Sequence, residues 1–237
     1  TLDDKEYRAT VSFGRSTDTL DAEGQTTEER ALRDAELDDA AVEAALVAEA
    51  ARTEQVPPGF SAISVDGHRA HRLARRGAAV VLPARPVAVR RLALVDRDAG
   101  SVTVDLVVSK GYYVRAFARD LGATLAAPAH LAALERRASG PYRLEEAVPW
   151  PPTTAPSLLP LAEAATRALP SARVTDEGVA RALCGKVLFS EHFVAPPENP
   201  DLSAWIDAKG CLIALGRPGE SGGFRVVRGF PPDPSTH

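Results

Sequence analysis

The run Val102-Thr103-Val104-Asp105-Leu106-Val107-Val108 constrains this chain more than any other stretch. Its apolar and polar residues largely alternate, and a period of two fits a strand with one buried face. Pro83 to Leu94 alternates in the same way, and Asp98-Ala99-Gly100 between the two runs carries turn chemistry, so the pair is predicted as a hairpin. Ser109-Lys110-Gly111-Tyr112-Tyr113-Val114-Arg115 follows, then Ala116 to Gly122, which reads as a helical turn with a glycine stop. A strand thus delivers a lysine, a glycine, two tyrosines and an arginine to one rim. A basic group beside aromatic faces suits a phosphate and a base. Taken alone, the same residues also fit an ordinary strand-to-helix turn with surface Lys and Arg.

Tyr7 to Phe13 alternates and is predicted as a strand, followed by a loop over Gly14 to Gly24 that carries Asp18 and Asp21. Asp38 to Arg52 is alanine-rich behind an Asp38-Asp39 start signal and reads as a helix, broken at Pro57-Pro58-Gly59. Ser61 to Val65 reads as a short strand, and His68 to Gly77 as a helix ended by its glycine. Arg115 to Leu125 and Pro128 to Arg136 are expected to be helical. The sum is an α+β domain with antiparallel sheet. A proline-rich connector around Pro149 to Pro160 and a short helix over Leu161 to Leu169 separate it from a tail of short runs divided by glycine and proline. The expected organisation is a first domain over 1–150, a linker and helix over 151–171, and a small β-rich domain over 172–232.

The chain has 237 residues and a formal net charge of −4, which by itself argues against a polyanion partner. The distribution argues otherwise. Glu23 to Glu54 is acid-rich, whereas His68 to Arg91 carries Arg69, Arg72, Arg75, Arg76, Arg85, Arg90 and Arg91. A local basic stripe binds phosphates whatever the global sum; a solvated arginine-rich surface is the plainer alternative. No apolar run approaches the roughly 20 residues of a membrane span. Cys184 and Cys211 lack ligand spacing and are expected to be buried free thiols, a disulfide between them being the alternative. Neither a metal cluster nor a phosphate-cradling glycine loop is visible.

Five motifs share one order and spacing: Lys5-Glu6-Tyr7-Arg8; Thr17-Asp18-Thr19-Leu20-Asp21-Ala22-Glu23-Gly24; Gln55-Val56-Pro57-Pro58-Gly59-Phe60-Ser61-Ala62; Ser109 to Arg115; and Ala129-His130-Leu131 to Arg137. Together they resemble the TruB-type tRNA pseudouridine synthases, strongly over about 1–150 and weakly beyond. The resemblance implies a cofactor-free isomerase on the T stem-loop of tRNA, acting on uridine 55. There the target base is flipped out, an aromatic ring stacks on it, and an aspartate attacks as nucleophile.

Carried over by motif, Tyr7 is the stacking tyrosine and Arg115 the arginine that ion-pairs with the catalytic aspartate. Tyr113 contacts the nucleotide, Leu134 lines the uracil pocket, and Asp21 has a supporting polar role. Gln55 to Gly77 resembles a segment that presses into the T loop. His68, Arg69, Arg72 and Arg76 on that segment, with Lys110, Arg136 and Arg137, are the expected RNA contacts; His71 is a further candidate, and His130 reads as a packed or capping histidine. The tail resembles a PUA-type domain. The family's nucleophile lies in a Gly-Thr-Leu-Asp-Pro type motif that this chain lacks. Thr1-Leu2-Asp3 imitates its letters, but Asp3 stands only four positions before Tyr7 and has Asp4 where proline is expected. The resemblance therefore implies an N-terminally truncated catalytic domain whose nucleophilic aspartate lies upstream of residue 1. A catalytically inactive RNA-binding module is the competing reading. Two cysteines in a chain of this length fit a reducing cytosol, and a cytoplasmic monomer with no membrane partner is expected.

Overall fold

The computed structural model describes residues 4–32, 37–61, 64–65, 68–69, 82–151, 158–198, 201–220 and 222–231. These fall into two compact units that divide at Ala147/Val148.

The first unit is built on β1 (Lys5–Phe13), β8 (Val89–Arg97), β9 (Ser101–Val108), β10 (Ala129–Ser139) and β11 (Tyr142–Arg143), in the sheet order β11-β10-β1-β9-β8. β1 lies at its centre, antiparallel to β9 on one side and to β10 on the other. Alternation decides its faces. Ala9, Val11 and Phe13 point with Val102, Val104, Leu106 and Val108 into the core. Arg8, Thr10, Thr103 and Asp105 occupy the reverse. There Arg8 donates two parallel bonds of 2.8 Å to Asp105, and the hydroxyls of Thr10 and Thr103 meet at 2.9 Å. The Arg8 bonds hold the Asp105 carboxyl below its ordinary range, although burial opposes the shift.

Helix α1 (Asp39–Ala50) starts where the Asp38 carboxylate accepts from Ala41 N at 2.7 Å. Helix α2 (Val114–Thr124) lays Val114, Phe117, Ala118 and Leu121 on the sheet. Phe117 is wholly buried, and truncating such a ring costs about 3–5 kcal/mol. Gly122 does not stop this helix, which runs to Thr124. A Cβ there would lie 2.7 Å from Ala127 O and 2.6 Å from Ala129 Cβ, so the glycine serves close packing of helix on strand.

The expected helix over Pro128 to Arg136 is instead β10. Alanine and arginine favour a helix locally, but β1 offers a complete ladder edge that this segment fills from Ala129 to Ser139. Pairing outweighs propensity. Two register shifts, between Glu6/Tyr7 and between Thr10/Val11, bend the ladder. The expected helix at His68 also fails at its start: β6 (His68–Arg69) pairs with β5 (Ser64–Val65). Residues 70–81, with Arg72, Arg76 and His71, lie outside the described residues, as does Asp3. Further short ladders join β2 (Arg15–Thr17) to β3 (Thr26–Glu29) and β4 (Glu54–Gln55) to β7 (Arg85–Pro86).

In the second unit α3 (Leu161–Ala168) precedes a four-stranded sheet, β12 (Ser171–Arg173), β13 (Ser203–Ile206), β14 (Leu212–Pro218) and β15 (Phe224–Gly229). Residues 185–188 form no strand; Leu188 makes only an isolated bridge to Phe224. Helix α4 (Asp176–Leu183), capped by the Thr175 hydroxyl on Gly178 N at 3.1 Å, goes beyond what the sequence reading assigns to this tail. Trp205 fills the core, with Nε1 donating to Ser203 Oγ at 2.9 Å. Both cysteines are free, but neither is buried: Cys184 is exposed and Cys211 half-buried. Among the described residues no helix is long and apolar enough to cross a membrane.

Candidate active site

The loop from Thr17 to Gln25 folds back on itself. Thr17 Oγ1 donates to Asp21 O at 2.7 Å, and Asp18 Oδ1 accepts from Gln25 N at 2.8 Å. Gly24 is required here, because a Cβ would lie 2.6 Å from Asp18 Oδ1 and closer still to Thr19 Oγ1. The loop is tied to the sheet where Leu131 N donates to Leu20 O at 3.0 Å, which places Asp21 beside β10.

Asp21 is then oriented by three donors. Its Oδ1 accepts from Thr19 Oγ1 at 2.6 Å and from Glu23 N at 3.3 Å, and its Oδ2 from Arg115 Nη1 at 3.1 Å. Arg115 stands in the first turn of α2. The same Nη1 donates to Thr19 O at 3.0 Å, and Nη2 donates to Phe60 O at 2.8 Å. Three of five guanidinium N–H groups are engaged; among the described residues Nε–H and one Nη2–H are not. Both side chains are 28% exposed. They face an open cavity of about 380 Å³ that Leu131, Ala132, Ala133 and Leu134 also line.

The sheet register brings further residues to the same side. Tyr7 sits opposite Arg136 on β10 and Leu106 on β9, and is half-buried against the core. Leu134, opposite Ala9, is 48% exposed at the cavity wall, a large apolar side chain open to a ligand. Tyr113 is the residue immediately before α2, and Lys110 lies exposed in the preceding turn. Arg137 goes elsewhere: it pairs with Glu135 at 3.0 Å and lies near Asp105, on the reverse of the sheet. His130 is buried, with Nδ1 on Arg15 O at 2.9 Å and Nε2 on the Arg15 guanidinium at 3.2 Å; it anchors β2 to β10. Of the RNA-contact candidates, His68 and Arg69 are described only as part of β6.

Two residues of the site have no individual role assigned from the sequence: Gln55, which only opens the segment expected to press into the T loop, and Arg119. Gln55 is buried, and its amide makes two bonds to Tyr113: Tyr113 N donates to Oε1 at 2.9 Å, and Nε2 donates to Tyr113 O at 3.2 Å. Arg119, one turn after Arg115, donates to Val56 O at 2.8 Å. Deeper along α2 lies a buried charged group. Glu49, fully buried, pairs with Arg52, which approaches Asp120 at 3.8 Å. Tyr112 beside them is pushed well above its ordinary value by burial and by Glu49. Among the described residues no grouping of His, Cys, Asp and Glu is arranged to hold a metal ion.

This architecture has solved counterparts. A chain in the "Crystal Structure of a Cbf5-Nop10-Gar1 Complex" superposes with a TM-score of 0.68 at 19% identity, over 98% of this chain and 68% of that one. One in "Structure of H/ACA RNP bound to a substrate RNA containing 2'-deoxyuridine" gives 0.62 at 17%, over 98% and 67%. The fold is the pseudouridine synthase fold.

Sequence comparison narrows the class. Residues 1–114 match the model of the TruB family pseudouridylate synthase (N terminal domain). The tRNA pseudouridine synthase B of Cereibacter sphaeroides is 38% identical over 219 residues, 89% of this chain and 70% of that protein. That of Caulobacter vibrioides is 40% identical over 194 residues, covering 78% and 61%; that of Thermobifida fusca is 42% identical over 223 residues, covering 90% and 73%. The chain belongs to the TruB family of pseudouridylate synthases.

Proposed function

We propose that the protein carrying this chain is an isomerase that converts a tRNA uridine to pseudouridine, and that its target is uridine 55 in the T loop. The reading rests above all on the Arg115–Asp21 ion pair, held by three chain segments at a cavity walled by Leu134. The reaction breaks the N1–C1′ glycosidic bond, turns the uracil and closes a C5–C1′ bond at the same sugar; C5 gives up a proton and N1 gains one, so the product is an isomer of the substrate. It needs a flipped base, a stacking surface and a correctly placed carboxylate, and no redox step or metal.

In this reading Tyr7 stacks on the target base, Tyr113 contacts the nucleotide, and Leu134 closes the uracil pocket. Asp21 is a supporting group: both of its oxygens are already engaged, and it serves to fix Arg115. Among the described residues two N–H donors of Arg115 are unengaged; in this reading they meet a reacting carboxylate, whose ionised form the guanidinium charge favours. Lys110, Arg136, His68, Arg69, Arg72 and Arg76 are the RNA contacts we infer. The charge of Arg137 is shared with Glu135 on the reverse of the sheet, which favours it least among them. The second unit is read as a PUA-type RNA-binding domain, and the protein as a cytoplasmic monomer.

The test is pseudouridine formation on a T stem-loop RNA, read by primer extension after carbodiimide modification. One new pseudouridine at position 55, absent when that uridine is replaced by cytidine, is expected. Tight binding without conversion would favour an inactive RNA-binding module, and conversion at another position would overturn the T-loop assignment.

A further inference from the structure

We infer that Gln55 is a positioning residue of the active site. By clamping the start of α2 it sets the direction from which Arg115 enters; the inference deepens, and rests on, the reading above.

Tyr113 is the cap residue of α2, and its own side chain makes no capping bond. The N–H of a cap residue at a helix start has no partner within its helix, whereas its C=O accepts the first helical bond, here from Phe117 N at 3.1 Å. Gln55 supplies the missing acceptor and adds a second donor to the carbonyl. Its amide presents an acceptor and a donor side by side, the pattern of a neighbouring strand, and it does so 58 positions away in the chain. The glutamine is 2% exposed, so water cannot replace it. Two residues beyond Tyr113 stands Arg115, whose hold on Asp21, Thr19 and Phe60 depends on where the first turn of α2 lies.

The backbone of Gln55 is itself fixed in the β4·β7 ladder, opposite Arg85. Arg115 and Arg119 then reach back to the carbonyls of Phe60 and Val56, just beyond it. Helix start and returning segment are thus tied by side chains in both directions. The Gln55 amide is spent on Tyr113 rather than on the cavity wall, so its effect passes through Tyr113 and Arg115.

The closing experiment compares Gln55→Leu and Gln55→Glu with the parent. Leucine keeps much of the volume and removes both bonds; glutamate keeps an acceptor for Tyr113 N–H and, when ionised, loses the donor. On T stem-loop RNA, kcat is expected to fall by about tenfold for Gln55→Glu and about a hundredfold for Gln55→Leu, with KM within about twofold, because an interaction used to place a group in the transition state is lost from kcat. Amide hydrogen exchange across 113–117 should quicken in the same order while β1 and β9 keep their protection. Unchanged exchange at 113–117, or a kcat equal to the parent's in Gln55→Leu, overturns the inference. So does a loss confined to KM. Should the parent itself make no pseudouridine, the functional reading fails, and the exchange pattern still decides whether Gln55 clamps α2.

Discussion

Replacing Arg115 by lysine keeps the charge and removes the fork. The guanidinium bridges three oxygens, Thr19 O, Phe60 O and Asp21 Oδ2, at 2.8 to 3.1 Å. A single ammonium centre, on a side chain of shorter overall reach, satisfies one of them in this geometry. Bonds to a charged donor contribute about 1.5–3 kcal/mol each, and at 28% exposure solvent screening brings this down to about 1–1.5 kcal/mol. Two such bonds then amount to about 2–3 kcal/mol, or about a 30- to 150-fold fall in the rate of the chemical step. The assay is single-turnover pseudouridine formation at saturating enzyme, with RNA affinity measured in parallel by filter binding. Affinity should stay within about threefold of the parent, since the guanidinium is engaged mainly with the protein. A rate within threefold of the parent, in a variant that melts normally, refutes the claim that the fork positions chemistry. A loss that appears wholly in affinity refutes it equally.

Three other perturbations follow from particular side chains. Gly24→Ala forces a Cβ into Asp18 and Thr19 and should lower stability by about 1–3 kcal/mol in urea titration, with a loss of turnover because Asp21 loses its frame. Asp105→Asn should lower Tm at neutral pH. The folded carboxyl is held below its ordinary value of 3.8, so its contribution is present above that value and disappears as pH falls through the lower folded one; the gap between variant and parent should close there, and a gap independent of pH would contradict the pairing with Arg8. Substituting Arg69, Arg72 and Arg76 together should weaken RNA binding and reduce the slope of log affinity against log salt by about 0.7–0.9 for each phosphate left without its cation; an unchanged slope would move the RNA surface elsewhere.

The elements legible in the sequence are those whose faces differ. β1 and β9 alternate because one side is core and the other solvent, and α1 announces itself through Asp38. β10 is opaque for the opposite reason. Its alanines and arginines satisfy helix propensity, and only the open edge of β1, more than 100 positions earlier, makes it a strand. The site divides in the same way. Tyr7, Asp21, Arg115 and Leu134 stand in motifs and are visible one at a time. That Asp21 and Arg115 are partners, 94 positions apart, is a property of the folded loop alone. Gln55 shows the limit most clearly: nothing in Gln-Val-Pro-Pro signals that its amide belongs to a helix start 58 positions on. Arg136 and Arg137 are adjacent in sequence, yet the bulge near Tyr7 sends one toward the site side and the other to Glu135.

The central place of β1 has a kinetic cost. It is the first strand described, but both of its neighbours come much later; Arg8 and its partner Asp105 are 97 positions apart. At a ribosome adding about 5–20 residues per second, β1 waits about 5–20 s before β9 exists to pair with it. Throughout that interval it is an alternating, apolar-faced segment with both edges open, the kind of surface that aggregates or recruits a chaperone. The charged and hydroxyl residues on its reverse face, Arg8, Thr10 and Ser12, leave the waiting segment with a single apolar face.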